Sequence, residues 1–288
     1  MTDRTQYLLE LVHRNVKPYI ANPKTRAVMV TGSVAEGRCD EYSDCDVMLY
    51  YDELPTEDEL TLARQQNRDA ELIEIVGDRQ AGAFGETFRV QGVECQFAHT
   101  AIAQWEAEMS TVLEKFEIQP GIMKMLHGTL ISIPLYGEAL IHRWKDNIAT
   151  YPNQLAQAVI EHHLKFFALW GVQDKLSRRD ATLWYYQILV ESAQNILGVL
   201  SGLNHLYFST FQFKRMGIFI EQMAIAPPNL AARLEGLFHQ EPSVAALQLE
   251  ALVQDTVALV EHHMPQINTS AAKRQLGWRQ QPWPIPEV

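Results

Sequence analysis

Gly32-Ser33-Val34-Ala35-Glu36-Gly37-Arg38-Cys39-Asp40-Glu41-Tyr42-Ser43-Asp44-Cys45-Asp46 is the stretch that decides the fold. It follows a β-rich run, Ala27-Val28-Met29-Val30-Thr31, and leads into Val47-Met48-Leu49-Tyr50-Tyr51. The pattern predicts a strand ending at Gly-Ser, a short loop or helical turn, and a second strand over 44–51 that opens on Asp-x-Asp. Side chains alternate along a strand, so Asp44 and Asp46 share one face, continued by Met48 and Tyr50. Cys45, Val47, Leu49 and Tyr51 point the other way, toward a core against helices. Two neighbouring carboxylates repel each other unless a cation sits between them. Mg²⁺ takes one or two carboxylates and fills its remaining positions with phosphate oxygens and water. Gly32 and Ser33 end the neighbouring strand, where glycine lets a ligand approach the backbone and the hydroxyl and following amides can donate hydrogen bonds. These residues describe a site for a metal-bound nucleoside triphosphate.

Further along, two short strands are expected at 87–90 and 93–98, joined by Gln91-Gly92 as a tight hairpin. In the second of them Val93, Cys95 and Phe97 face inward while Glu94 and Gln96 face outward. If this hairpin pairs with the Asp44 strand, Glu94 becomes the third acid, placed to take a proton from an attacking hydroxyl or to complete a metal site.

A Gly-Ser pair, about ten residues, a Ser-Asp-x-Asp ending at Ser43-Asp44-Cys45-Asp46 and a later isolated acid on a strand together resemble the nucleotidyltransferase superfamily that includes DNA polymerase β. In layout the chain most resembles the small bacterial enzymes that adenylylate aminoglycoside and lincosamide antibiotics. The sharp motifs lie only around 32–46 and at Glu94. The resemblance implies attack by an acceptor hydroxyl on the α-phosphate of ATP, with pyrophosphate leaving. It implies Asp44, Asp46 and Glu94 as the catalytic and Mg²⁺-binding acids, and Gly32, Ser33 and Ser43 at the nucleotide. Arg38, in the loop after Gly37, is one candidate cation for the triphosphate. Lys214 is another, because the segment from Asn204 through Tyr207 to Lys214 resembles the Asn-x-x-Tyr…Lys element of such helical domains. Tyr207 could stack on a base, although an aromatic on an amphipathic helix is more often core.

The organisation of the chain fits that layout. Residues 1–150 hold 24 acidic and 14 basic side chains and alternate strand-like runs with helices. Residues 151–288 hold 11 and 10, and read as successive helices at 153–176, 181–200, 208–223, 229–238 and 243–262. The expected fold class is α+β. A catalytic domain over 1–150 carries a small mixed sheet flanked by helices. An all-α bundle over 151–265 closes the substrate cleft, and a tail over 266–288 is rich in Pro and Trp. Other expected elements are a first helix that Pro18 kinks or shortens, helices at 57–68 and 101–116, and an edge strand at 130–136 interrupted by Pro134.

The 288 residues carry a net charge of −11, which argues against a nucleic-acid-coating surface and suits a cationic small ligand. Three cysteines, Cys39, Cys45 and Cys95, give no disulfide framework and no metal-ligand spacing. The first 23 residues include Asp3, Arg4, Glu10, Arg14 and Lys17, so no signal-peptide core is expected there. No uncharged apolar window long enough for a membrane span is expected, and the default compartment is a reducing cytoplasm. His162-His163 and His262-His263 are neighbours that do not share a helix face, so they are not zinc pairs. The acids Asp52, Glu53, Glu57, Asp58 and Glu59 read as a solvated loop and helix start. Three functions stay open at this level. One is transfer of a nucleotide to a hydroxyl of a small acceptor, cationic or neutral. Another is the same chemistry on a protein or RNA, as in toxin or antitoxin enzymes. The last is a non-catalytic nucleotide-binding module.

Overall fold

The structure, a computed structural model, describes residues 3–67, 69–176 and 179–277, without the side chains of residues 173 and 174. It is α+β, and the chain divides into two compact units. Unit 1 comprises Met1–Lys115 with Met125–Thr150, and unit 2 comprises Phe116–Lys124 with Tyr151–Val288. The short segment 116–124 therefore belongs with the helical half, which no composition shift in the sequence signals.

Among the described residues, unit 1 is built on one sheet of β1 (Thr25–Thr31), β2 (Cys45–Tyr51), β3 (Ala70–Asp78), β4 (Ala83–Val90), β5 (Val93–Ala101) and β6 (Ile133–Tyr136). Their order across the sheet is β3-β4-β5-β2-β1-β6. β2 and β5 run parallel, and all the other neighbours are antiparallel. The β4–β5 hairpin turns at Gln91 and Gly92, with φ of 53° and 85°, the left-handed pair that a two-residue turn needs. β6 is an edge strand, as Pro134 requires, but residues 130–131 close a helix instead of joining it. β3 has no counterpart in the sequence analysis. It is the opposite edge, with Leu72, Ile73, Ile75 and Val76 all exposed, so it has no alternation of burial to betray it.

The helices of unit 1 among the described residues are α1 (Asp3–Asn15), α2 (Lys17–Ile20), α3 (Gly32–Ala35), α4 (Glu57–Gln66), α5 (Ile102–Leu113), α7 (Glu138–Ala149) and, from Met125 onward, α6 (Pro120–Ile131). The first helix is indeed split, because Pro18 has no N–H to continue the ladder of α1. On one sheet face Val28, Val30, Cys45, Val47, Leu49, Tyr51, Cys95 and Phe97 share a core with Leu8, Leu11 and Val12 of α1, Tyr19 of α2 and Leu60 of α4. On the other face Tyr50 packs against Trp105 of α5 and Trp144 of α7, with ring centroids 4.7 to 6.5 Å apart. That cover buries Tyr50 but leaves Asp46 and Met48 only half-buried. The second face is thus open at the end where β1 stops and β2 starts.

Unit 2 contains α8 (Asn153–His163), α9 (Leu169–Asp174), α10 (Thr182–Leu203), a 3₁₀ turn at Thr210–Arg215, α11 (Met216–Glu221), α12 (Leu230–Gly236), α13 (Pro242–His263) and α14 (Ser270–Lys273). α10 packs on α8 and α13, and α13 also packs on α9. Two expected helices are each broken. The 153–176 run stops at His163, where Asn195 of α10 accepts from the ring Nδ1 at 3.1 Å and donates to the Lys165 carbonyl at 2.6 Å. A side chain on another helix thus satisfies the backbone after His163, and no local breaker is needed. The 208–223 run opens as a 3₁₀ turn because Ser209 and Gln212 form a capping box over its first residues.

α13 comes nearest to an apolar window among the described residues, although it is not uncharged. By length and composition it could cross a membrane, since Glu250 and Asp255 interrupt the apolar run only twice. Leu249, Leu252, Val253, Val257 and Val260 are buried inside unit 2, as in the core helix of a bundle. The packed chain also runs beyond residue 265. Ile267 and Ala272 are buried, Glu261 accepts from Thr269 and Lys273, and Glu250 accepts from the Gly277 amide at 2.7 Å. The irregular stretch expected over 278–288 lies outside the described residues.

Candidate functional site

The site is built where β1 hands over to β2. Thr31 at the end of β1 pairs with Asp46 near the start of β2. Gly32 follows at φ 63°, in the left-handed region that favours glycine. Its missing side chain has a second reason. A Cβ built on Gly32 would overlap Oδ2 of Asp46, so the bare backbone of Gly32 is what leaves room for that carboxylate. The loop then closes on itself through Glu36 N to Gly32 O at 3.1 Å and Arg38 N to Ser33 O at 3.0 Å. Val34 and Cys39 are buried beneath it, and the Cys39 amide donates to Thr5 Oγ1 of α1 at 3.4 Å. The loop is thereby pinned to the body of unit 1.

β5 supplies the third acid. Its register with β2 sets Cys45 against Cys95 and Asp46 against Gln96. One step back along both parallel strands brings Asp44 level with Glu94. Neighbouring strands lie about 4.8 Å apart, and residues level with each other share a face. Cys45 and Cys95 are buried on the helix-covered face, so Asp44, Asp46, Glu94 and Gln96 lie on the open one. Glu94 is exposed and accepts from Gln96 Nε2 at 2.9 Å. Asp44 and Asp46 are half-buried, and Asp44 makes no hydrogen bond or ion pair among the described residues. Among those residues no three His, Cys, Asp or Glu side chains stand together as a metal cage. Two carboxylates are the number Mg²⁺ accepts when a phosphate chain and water supply its other oxygens. Asp44 and Asp46 offer that number of carboxylates on the open face.

No family model matches the chain, and no curated protein matches it. A crystal structure of a nucleotidyltransferase-like protein from Exiguobacterium sibiricum is similar to it over 97 % of this chain and 82 % of that one. The TM-score is 0.42 and the sequence identity 10 %.

The remaining residues singled out from sequence fall in different surroundings. Ser33 is half-buried, with Cys39 Sγ 3.8 Å from its hydroxyl. The Ser43 hydroxyl accepts from the Asp40 amide at 2.9 Å and donates to Asp40 Oδ1 at 3.1 Å, so it closes the turn that delivers Asp44. Arg38 is exposed on the loop. Lys214 belongs to unit 2, on the 3₁₀ turn, and is exposed. Tyr207 is core, 2 % exposed and packed on Tyr151 at 4.9 Å. Asn204 clamps the end of α10 by exchanging hydrogen bonds of 2.8 Å with the Ile225 backbone. The Cys45 thiol is pushed up by its hydrogen bond to Cys95 and by burial, so it stays protonated and behaves as a small core residue.

Sequence reasoning missed two features of unit 1. His127 of α6 lies near Glu36 of the Gly-Ser loop, and burial holds it below the ordinary histidine range against the opposing pull of Glu36. Nothing in the sequence places 125–131 beside the loop, although a Cβ built on Gly128 would lie 3.8 Å from Thr31 Cβ. The second feature is a buried polar cluster on the helix-covered face. Glu86, 1 % exposed, accepts from Tyr19 Oη at 3.2 Å and Arg64 Nε at 2.9 Å, and His99 Nε2 lies 3.2 Å away. His99 Nδ1 in turn takes the Tyr51 hydroxyl at 2.8 Å. Burial pushes Glu86 up, but His99 and Arg64 outweigh it and hold the carboxylate below its usual range. Burial lowers His99 more than Glu86 can raise it, so the ring is neutral and donates from Nε2.

Proposed function

We propose that the protein transfers a nucleotidyl group, AMP from ATP by the family resemblance, to a hydroxyl of a small molecule and releases pyrophosphate. The observation that carries it is the fit of the Asp46 carboxylate against bare, left-handed Gly32, on the same open sheet face as Asp44 and Glu94. In this scheme Asp44 and Asp46 hold Mg²⁺, which supplies charge neutralisation to the triphosphate. Gly32 and Ser33 sit against the phosphates, with Arg38 of the same loop as a cation toward the β- and γ-phosphates. Glu94 takes the proton of the acceptor hydroxyl. The acceptor oxygen forms a bond to the α-phosphorus, the bond from that phosphorus to the bridging oxygen breaks, and the electron pair leaves on pyrophosphate. The excess of acids in residues 1–150 favours a cationic acceptor of the aminoglycoside kind. Three cysteines, all buried and free, suit a reducing cytoplasm.

The test is pyrophosphate release from Mg²⁺-ATP over a panel of hydroxyl-bearing antibiotics and metabolites. The wild-type protein should turn over at least one acceptor. Asp46→Ala should lose activity by about three orders of magnitude with an unchanged far-ultraviolet circular dichroism spectrum. Full turnover in Asp46→Ala would remove the metal assignment, and no pyrophosphate release by the wild-type protein with any acceptor would remove the transferase reading.

A further inference from the structure

Phe211 is an exposed aromatic, 51 % accessible, on the 3₁₀ turn of unit 2. Two ammonium groups flank it. Lys124 Nζ lies 3.6 Å from the ring centroid and Lys214 Nζ 5.2 Å. The two lysines come from segments ninety residues apart in sequence, both within unit 2. Phe211 and Lys214 are three residues apart, and positions i and i+3 eclipse in a 3₁₀ turn, so they face the same way. The Ser209–Gln212 capping box fixes the turn that presents them.

Neither lysine has a carboxylate partner among the described residues, although the chain carries a charge of −11. Elsewhere in the same unit Arg233 pairs with Asp255 at 2.7 Å and Lys273 with Glu261 at 2.9 Å. Two like charges drawn to one ring repel each other, and the ring quadrupole offsets this by only about 0.5–1 kcal/mol per cation at an exposed site. An anion shared between them removes the repulsion. A chain of phosphates carries several anionic groups in a row and can meet both ammonium groups in turn on whichever side of the ring each lies.

We propose that Lys124 and Lys214, spaced by Phe211, form one polyphosphate-binding site in unit 2. Its ligand is identified as the triphosphate of the nucleotide only through the transferase reading above, and Lys124 is the member that no sequence motif pointed to. The site itself is tested without that reading, by calorimetric titration of the full-length protein with inorganic triphosphate in the absence of Mg²⁺. Wild type should bind triphosphate at least tenfold more tightly than orthophosphate, with affinity falling as salt rises. Lys124→Ala and Lys214→Ala should each weaken triphosphate about tenfold, and Lys124→Arg should restore part of the loss. Circular dichroism of each variant controls for folding. Unchanged triphosphate affinity in both alanine variants, or equal affinity for orthophosphate, overturns the proposal. Mg²⁺-ATP binding that needs Asp46 but neither lysine overturns it while leaving the transferase reading standing. Lysine-dependent triphosphate binding in a protein that releases no pyrophosphate with any acceptor would uphold the site and sink the transferase reading.

Discussion

Gly32 shows how one residue can serve backbone and chemistry together. Its positive φ costs a residue with a Cβ about 1–2 kcal/mol, and that Cβ would also displace the Asp46 carboxylate. The obstructing atom is the end of a side chain, so the carboxylate can swing aside at little cost in stability. For Gly32→Ala we therefore expect a loss of about 1–2 kcal/mol in urea denaturation, and a loss of turnover of about 100-fold, the scale of a misplaced reacting group. Full turnover in that variant would mean that Gly32 does not position Asp46. His163 makes a separate residue-scale case. Burial takes its pKa down to about 4, against the pull of its hydrogen bond to Asn195. A depressed folded value means that the unfolded chain binds a proton, below its ordinary pKa of about 6.5, that the folded chain refuses. This contribution to stability is complete above pH 6.5 and is lost as the pH falls toward 4, by an amount on the order of 3 kcal/mol. His99 acts in the same direction, and Glu86, also depressed, adds to it below about pH 4.3. His163→Phe keeps the ring shape and removes the titration, so its stability curve between pH 7 and pH 4 should be flatter than that of wild type. An unaltered slope would show that His163 titrates normally in the fold.

At the scale of elements, glycine acts again, through contact. Gly198 and Gly202 lie one turn apart on α10. A Cβ at Gly202 would come 2.7 Å from Ile160 Cγ1 and 3.0 Å from the Ala156 carbonyl of α8, and one at Gly198 would overlap the His163 ring. These two bare positions set how closely α8 and α10 approach. Alanine is the better helix former by about 1 kcal/mol, but overpacking against a backbone carbonyl costs about 1–3 kcal/mol. We expect Gly202→Ala to be net destabilising by about 1 kcal/mol in thermal unfolding, and a stabilised variant would show that the helices can part freely. Which elements could be read in advance follows the same physics. β1 was legible as a continuous β-rich apolar run buried on both faces, β2 and β5 because their residues alternate, and the Gln91-Gly92 turn because its chemistry is local. β3 was not, because it is an exposed edge strand. The breaks after His163 and around Ser209 were not, because Asn195 lies thirty residues from the carbonyl it satisfies and because a capping box inside an apolar run looks like ordinary helix. In the candidate site the shared face of Asp44, Asp46 and Glu94 follows from alternation once β5 pairs with β2, while their roles rest on the family resemblance. Their relation to His127, and the meeting of Lys124 with Phe211, depend on where α6 packs, and no local pattern encodes that.

Across the whole molecule the charge is divided as the fold is. Residues 1–150 hold ten more acids than bases, while residues 151–288 hold 11 acids and 10 bases. Several of the acids in the first part are already paired, as in Lys24–Glu59, Arg26–Asp52, Arg64–Glu57 and Arg143–Glu106. The excess remains after such pairs are set aside, so its long-range field is negative. A field of this kind speeds the encounter with a cation and does little for a neutral molecule. Salt screens it over a Debye length of about 10 Å at 0.1 M and about 3 Å at 1 M. For a polycationic aminoglycoside-type acceptor, kcat/KM should therefore fall several-fold, roughly 3- to 10-fold, between about 0.05 and 0.5 M KCl, while kcat at saturation changes little. A neutral hydroxyl acceptor should show no such dependence beyond that of Mg²⁺-ATP itself, which is separated by holding the nucleotide saturating. Equal salt dependence for both acceptors would assign the acidic excess to solubility alone and leave the acceptor's charge undetermined by the protein's own.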